Sequence, residues 1–409
     1  MKEIPVMIPF IGKEEQEEVK KVLNSGWVAL GPKVREFEEK AAKYENAKYA
    51  IATTSCTTAL HLALVAMGVG ENQDVLVPSF TFIATANAIT YTGATPILVD
   101  VEPTTYNINV EEIEKIINQN YEKIDEKLVN KKTKNILTTI VPVNLFGLCA
   151  NLPKINEIAK RHNLQILEDS ACAFGAKIGD KFESEFGNPT ALSFHPRKSI
   201  TTGEGGMILT SDEDLYNKAS KLRSHGASVS EIARHKNAGY LLPDFNDLGY
   251  NYRMTDIQAA VGVAQMDKMT YITNTRREKA DYYRKLLKDV NFINAPYVPE
   301  GYYHTYQSFV CMIDNEKLNM TIEEATEFRN NLMQKLEENK ISTRVGTHAV
   351  HMLGYYKEKF AYKDSDFPGA YKADKLSITL PLYVQMEKQD QDYVINKIIE
   401  LEKELVEEK

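Results

Sequence analysis

At 409 residues the chain is long enough for two or three domains at roughly 150 residues each, or for one large and one small domain. With 43% hydrophobic and 26% charged residues it has the balance of an ordinary globular protein and is excluded from the disordered class. Its 57 acidic against 49 basic residues give a formal net charge of -8, which excludes a general nucleic-acid backbone binder, since that role needs a basic surface.

In chain order, residues 13–45 carry two charged helical patterns, with Val19, Val22 and Leu23 on one stripe and Phe37 and Ala41 on the next. The run Gly26-Trp27-Val28-Ala29-Leu30-Gly31-Pro32 breaks them and reads as a loop. From about 48 to 210 short apolar runs predict strands at Tyr49–Ala52, Asp74–Val77, Thr95–Val99, Ile136–Val141, Gln165–Glu168, Ala191–Phe194 and Met207–Thr210. Helical patterns fall between several of them, at 57–67, 82–92, 111–130 and 153–162, and the charge-rich stretch 115–135 reads as a solvated helix and loop. This alternation predicts an α/β fold, a mainly parallel sheet with helices on both faces. A long helix is expected over 255–288, then strands at Ser308–Ile313 and Ile341–Arg344 and helices at 321–339 and 387–407, as a smaller α+β domain. The boundary is placed at 265/266, giving a large domain 1–265 and a small one 266–409.

Cys56, Cys149, Cys172 and Cys311 lie far apart with no Cys-x-x-Cys pair, which argues for a reducing compartment and against a disulfide framework or zinc ribbon. The start, Met1-Lys2-Glu3-Ile4-Pro5, lacks the apolar core of a secretory signal, and no apolar run approaches the ~18–20 residues of a membrane span. The expectation is a cytoplasmic protein with neither membrane nor nucleic-acid partner.

Three segments could carry chemistry. The first, Ser193-Phe194-His195-Pro196-Arg197-Lys198-Ser199-Ile200-Thr201-Thr202-Gly203-Glu204-Gly205-Gly206, is a polar, glycine-rich loop between two strands. Ligands of open α/β sheets bind beyond the carboxyl ends of strands. There Lys198 could be a Schiff-base nucleophile, a phosphate contact or an ordinary surface charge. In the second, Ile166-Leu167-Glu168-Asp169, an apolar strand ends in two acids, so Asp169 either pairs with a protonated ring nitrogen or caps a helix. In the third, Ala52-Thr53-Thr54-Ser55-Cys56-Thr57-Thr58, a strand runs into a helix whose start suits a phosphate, unless Ser55 or Thr57 merely caps it. Gly203-x-Gly205 lacks the third glycine of a dinucleotide fingerprint, since position 208 is Ile208, which counts against a nicotinamide oxidoreductase. His348-x-x-His351 has no flanking third ligand, so no metal site is assigned.

Together these segments resemble the DegT/DnrJ/EryC1/StrS family of pyridoxal 5′-phosphate (PLP)-dependent sugar aminotransferases. The likeness runs from about Ile8 to the C-terminal helix. It rests on Ser193-Phe-His-Pro-x-Lys198-x-Ile-Thr-Thr-Gly-Glu-Gly-Gly206, Thr57-x-Ala-Leu60, Pro78-Ser-Phe-Thr-Phe-Ile-Ala-Thr85, Glu168-Asp169 and Gly249-Tyr-Asn-Tyr-Arg-Met-Thr-Asp256. It implies PLP-dependent transferase fold type I, with a mainly parallel seven-stranded sheet in the large domain. By this resemblance Lys198 binds PLP covalently, Asp169 partners the pyridine nitrogen and Phe82 stacks on the ring. Thr57 and Ser193 match phosphate contacts, and Asn251 matches an asparagine reaching the phosphate from the other subunit of a homodimer with shared sites. L-glutamate is implied as donor and a nucleotide-linked keto-deoxysugar as acceptor. Cys56 stands where glycine is common, and Cys172 where glutamine or histidine often contacts the ring hydroxyl. Lys198, desolvated beside a cationic ring, is expected to have a lowered pKa and to act as a base. For the acceptor's phosphates the candidates are Arg234 and Lys236, with Arg344 next, and His195 is read as a loop or substrate contact. Two alternatives remain. A PLP-dependent sugar dehydratase of the same family replaces the lysine by histidine, whereas Lys198 is present. A non-catalytic sensor would have no need for Lys198, Asp169 and Thr57 together.

Overall fold

A computed structural model describes residues 3–228 and 244–407. The predicted helical pair forms as Lys13–Ser25 and Pro32–Tyr44, and Gly26 closes the first in the left-handed conformation (φ 72°). The second helix starts behind Gly31, which has no side chain to cap it. Its cap comes from far along the chain: the Asp256 carboxylate accepts from the N–H of Gly31 (2.9 Å), Lys33 (3.1 Å) and Val34 (3.0 Å).

Two sheets make the centre. A four-stranded sheet runs in the order Tyr49–Thr53, Gly206–Thr210, Thr190–Ser193, Glu168–Asp169, and a six-stranded one is built around Gln73–Pro78, Thr95–Val99 and Ile136–Ile140. The segment 165–169 joins them, because Leu167 N–H donates to Ile140 O (3.1 Å) and Asp169 N–H to Pro142 O (2.9 Å). Parallel pairing links Thr95–Val99, Gln73–Pro78, Ile136–Ile140 and Gln165–Ile166, and Glu168–Asp169 pairs parallel to Thr190–Ser193. Gly206–Thr210 is antiparallel to both of its neighbours, with Gly206 opposite Thr53 and Ser193. That reversal matters, because it brings the start of one strand to the edge where its neighbours end. The strands near the middle are buried almost throughout and mostly apolar, as expected of strands covered on both faces.

Two expectations need correction. The helix expected over 111–130 stops at Asn120, and Tyr121–Ile124 with Lys127–Asn130 forms a hairpin that extends the sheet. Its turn, Asp125-Glu126, has both residues at positive φ, and its anchor is the buried Asp74, which accepts from Tyr121 Oη (2.8 Å) and Asn130 Nδ2 (2.8 Å). A buried partner 47 residues away outweighs the local helical charge pattern. Likewise 341–344 is not a continuous strand: Ile341 bridges Ile4 and Arg344 bridges Thr379.

Helix Asp256–Leu286 runs unbroken past residue 265. The C-terminal part has an antiparallel sheet, Ile293–Asn294, Phe309–Ile313 and Ser377–Leu380, covered by helices Ile322–Glu338 and Lys388–Glu407. Its core also takes in Ile4 from the N-terminal segment, while Ala349, Val350, Tyr356 and Phe367 pack instead with Phe80 in the core of the main sheet. No helix among the described residues is long and apolar enough to cross a membrane.

Candidate active site

The lysine loop spans the gap between the antiparallel neighbours Thr190–Ser193 and Gly206–Thr210, so it must reverse over a short span. Thr202 N–H and Thr201 Oγ1 both bond to Phe194 O (3.0 and 2.9 Å), which closes the loop on itself. Gln258 Nε2 donates to Glu204 O (2.7 Å), and Gln307 Nε2 donates to Arg197 O (2.5 Å), tying the loop to the long helix and to the C-terminal part. Lys198 is partly buried, and its Nζ lies 3.1 Å from Cys172 Sγ.

Asp169 ends its strand 4% exposed. Thr85 Oγ1 donates to its Oδ2 (2.7 Å) and Ala171 N–H to its Oδ1 (3.1 Å), and Thr81 Oγ1 stands 3.2 Å behind Thr85. A turn follows Asp169, not a helix, so the helix-capping reading is overturned. Burial pushes this carboxyl above its ordinary range, and Thr85, Ala171 and Lys198 offset only part of that. Such a group favours a cation or further donors beside it.

The phosphate segment resolves its own ambiguity. Ser55 is the cap of helix Cys56–Ala66, its Oγ accepting from Thr58 N–H (3.2 Å), while Thr57's hydroxyl has no hydrogen bond among the described residues. The first-turn N–H groups of Cys56 and Thr57 have no carbonyl within the helix to bond. Gly206 lies directly under this start. A Cβ there would fall 2.3 Å from Ser55 C and O and 2.5 Å from Cys56 N.

Around this centre Phe82 is 58% exposed, unusual for so large an apolar ring. Ser193 ends its strand, its Oγ accepting weakly from His195 N–H (3.4 Å). His195 is half-buried, and burial, with Arg197, Lys198 and Arg344 nearby, depresses its pKa against the opposing pull of Glu204. Arg344 is exposed, held by its backbone to Thr379. Asn251 is exposed on a segment whose backbone bridges Ser224. Arg234 and Lys236 lie outside the described residues.

The expected lowering of the Lys198 pKa does not come from the protein. Burial alone favours proton loss, but Cys172, Cys56 and Asp169 together outweigh it and hold the lysine above its ordinary value. The residues nonetheless match what PLP needs: an amine to bond, a buried acid for a ring nitrogen, unpaired N–H groups for a phosphate and an exposed aromatic face. Sequence reasoning assigned no role to Thr85, because its reach of 84 residues to Asp169 leaves no local signal. It also missed the support behind Asp169. The neighbouring Glu168 is fully buried, accepts from Asn144 (3.0 Å) and Asn188 (2.8 Å), and is pushed up to about 8 by burial.

Comparison with known proteins places nearly the whole chain in one family. The profile of the DegT/DnrJ/EryC1/StrS aminotransferase family matches residues 9–399. The chain is 35% identical to the spore coat polysaccharide biosynthesis protein SpsC of Bacillus subtilis, over 98% of this chain and 97% of that protein. It is 36% identical to the GDP-perosamine synthase of Escherichia coli O157:H7, over 98% and 99%. Among solved structures, the PLP form of the sugar aminotransferase Spr1654 from Streptococcus pneumoniae superposes with a TM-score of 0.85 at 25% identity, covering 99% of this chain and 100% of that one.

Proposed function

Given that the chain belongs to the DegT/DnrJ/EryC1/StrS aminotransferase family, with fold type I and PLP-dependent sugar amination as its activity, we propose that it moves the amino group of L-glutamate onto a nucleotide-linked keto-deoxysugar. The GDP-perosamine synthases among its relatives make GDP-linked ketosugars the first acceptors to try. Bound PLP supplies an electron sink through which an amino group passes from one carbon to another.

The protein's part is to hold and to move protons. In this reading Lys198 would carry the cofactor, and its amine would take and return the proton at the donor's α-carbon. Asp169 sets its negative charge against the ring nitrogen in a site with little water to compete. Thr57, Ser193 and the N–H groups of the helix start hold the phosphate, and Phe82 covers the ring. Asn251 completes the cradle from the partner subunit of a homodimer. His195 and Arg344 face the acceptor, with Arg234 and Lys236 as further candidates for its phosphates. The observation carrying this reading is the convergence of Lys198, Asp169 and an uncapped-by-Thr57 helix start on one edge of the sheet. Borohydride reduction of the purified enzyme should fix the cofactor to the peptide bearing Lys198, and glutamate with GDP-linked ketosugars should yield aminosugar. Attachment at another lysine would overturn the site, and turnover confined to other acceptors would overturn the substrate.

A further inference from the structure

Cys172 departs from the residue types its position resembles in the family, and the geometry gives the departure a use. It sits in the turn just after Asp169, and its Sγ is 3.1 Å from Lys198 Nζ. Among the described residues this is the only side-chain hydrogen bond that Lys198 makes. Cys172 is also the one cysteine of the four that is not fully enclosed, since Cys56, Cys149 and Cys311 are buried. At 3.1 Å the sulfur and the amine are within direct hydrogen-bond reach, so a proton can pass between them without an intervening water.

Resting on the reading of Lys198 as the cofactor-bearing lysine, we propose that Cys172 is a positioning residue and proton partner for that lysine. As thiolate it holds the Lys198 ammonium in place. When the amine must become a nucleophile or base, the thiolate takes the proton: one N–H bond breaks, one S–H bond forms, and a lone pair is left on Nζ. The reverse transfer restores the pair. Other titratable groups lie near the pair as well. Asp169 approaches it from the strand, Cys56 from the helix start with its thiol kept neutral by burial, and His195 from the lysine's own loop, with Arg197 and Arg344 acting on His195. The contribution of Cys172 has to be read against theirs, which stay constant between wild type and a Cys172 variant.

The test is spectroscopic. The visible absorbance of the lysine-bound cofactor in purified holoenzyme is titrated with pH for wild type, Cys172→Ser and Cys172→Ala. Loss of a neighbouring anion should lower the midpoint by about one pH unit in both variants, because serine restores the hydrogen bond but not the charge. A second measurement needs no change at Cys172. The pH midpoint for iodoacetamide alkylation of Cys172, followed by peptide mass, should rise by about one unit in Lys198→Ala relative to wild type freed of cofactor. Midpoints unmoved in both experiments would overturn the proton-partner role. Borohydride attachment at a lysine other than Lys198 would instead overturn the reading on which it rests, so the two failures are distinguishable.

Discussion

Asp169 shows how a single residue is set for one charge state at a cost in burial. Its carboxylate sits in a place that disfavours ionisation, and two donors plus Lys198 compensate only in part. Replacing it by asparagine removes the charge but little volume. Asp169→Asn should therefore lose at least ~100-fold in kcat/KM, the scale of one preorganised electrostatic contact, while thermal unfolding stays within a few degrees of wild type. A matched loss of stability and activity would show that Asp169 is only structural. Thr85 acts one step behind. Thr85→Val deletes the 2.7 Å hydrogen bond to Oδ2, so burial goes less opposed and the Asp169 pKa rises further. The acid limb of the pH–rate profile should move to higher pH by about one unit, since a bond to a charged group contributes ~1.5–3 kcal/mol. An unmoved limb would remove Thr85 from the site.

At the scale of elements, the site depends on how closely strand Gly206–Thr210 passes under the start of helix Cys56–Ala66. The contact is backbone to backbone, so a side chain has nowhere to turn. Gly206→Ala puts a carbon 2.3 Å from the Ser55 carbonyl. The expected cost is ~1–3 kcal/mol of stability together with weaker cofactor retention, read by thermal unfolding and by PLP content after dialysis. Gly203 is the control. It has φ 82° but open space around it, so alanine there strains only the backbone and should leave the phosphate cradle intact. The hairpin at 121–130 teaches the complementary lesson. Its sequence is charged and helix-like, and only Tyr121, Leu128 and Asn130 face inward. The deciding partner, Asp74, belongs to another strand.

Across the whole molecule, a group of buried acids ties the early helices to the sheet. Glu45 accepts from Gly175 N–H (2.7 Å) and from Ser184 Oγ (3.1 Å), and both Glu45 and Glu183 are fully buried. Burial and mutual repulsion push the pair well up, and Glu168 follows to about 8. The folded chain thus holds protons that the unfolded chain releases above its ordinary carboxylate value near 4.5. The sign is fixed by linkage: this stability is complete below about 4.5 and is lost as pH rises through about 8. The melting temperature should fall from about pH 4.5 to about pH 8, and Glu183→Gln, which imitates the protonated acid, should flatten the fall. A flat wild-type profile would contradict it. The proposed dimer is tested at the same scale. Mixing Lys198→Ala with Asn251→Ala and letting subunits exchange should restore activity absent from either alone, because one of the hybrid's two sites regains both residues. No recovery on exchange would mean that Asn251 serves its own subunit or no site.

The sequence by itself determined the alternating architecture, the long helix and the positions of Asp169 at a strand end and of Lys198 and Thr57 in the segments that follow strands. Those features rest on periodicity and on motifs a few residues long, which local chemistry governs. Tertiary structure alone decided which ambiguity each residue resolved. Ser55 took the cap and left Thr57 free, and Asp169 ended a strand before a turn. Cys172 met Lys198 across 26 residues, Thr85 met Asp169 across 84, and Asp256 capped a helix more than 220 residues away. Those contacts exist because the fold brings segments distant in the chain together, and burial there rewards a polar atom that finds a partner. A linear pattern carries the period of an element, but not the neighbour that satisfies its buried charge.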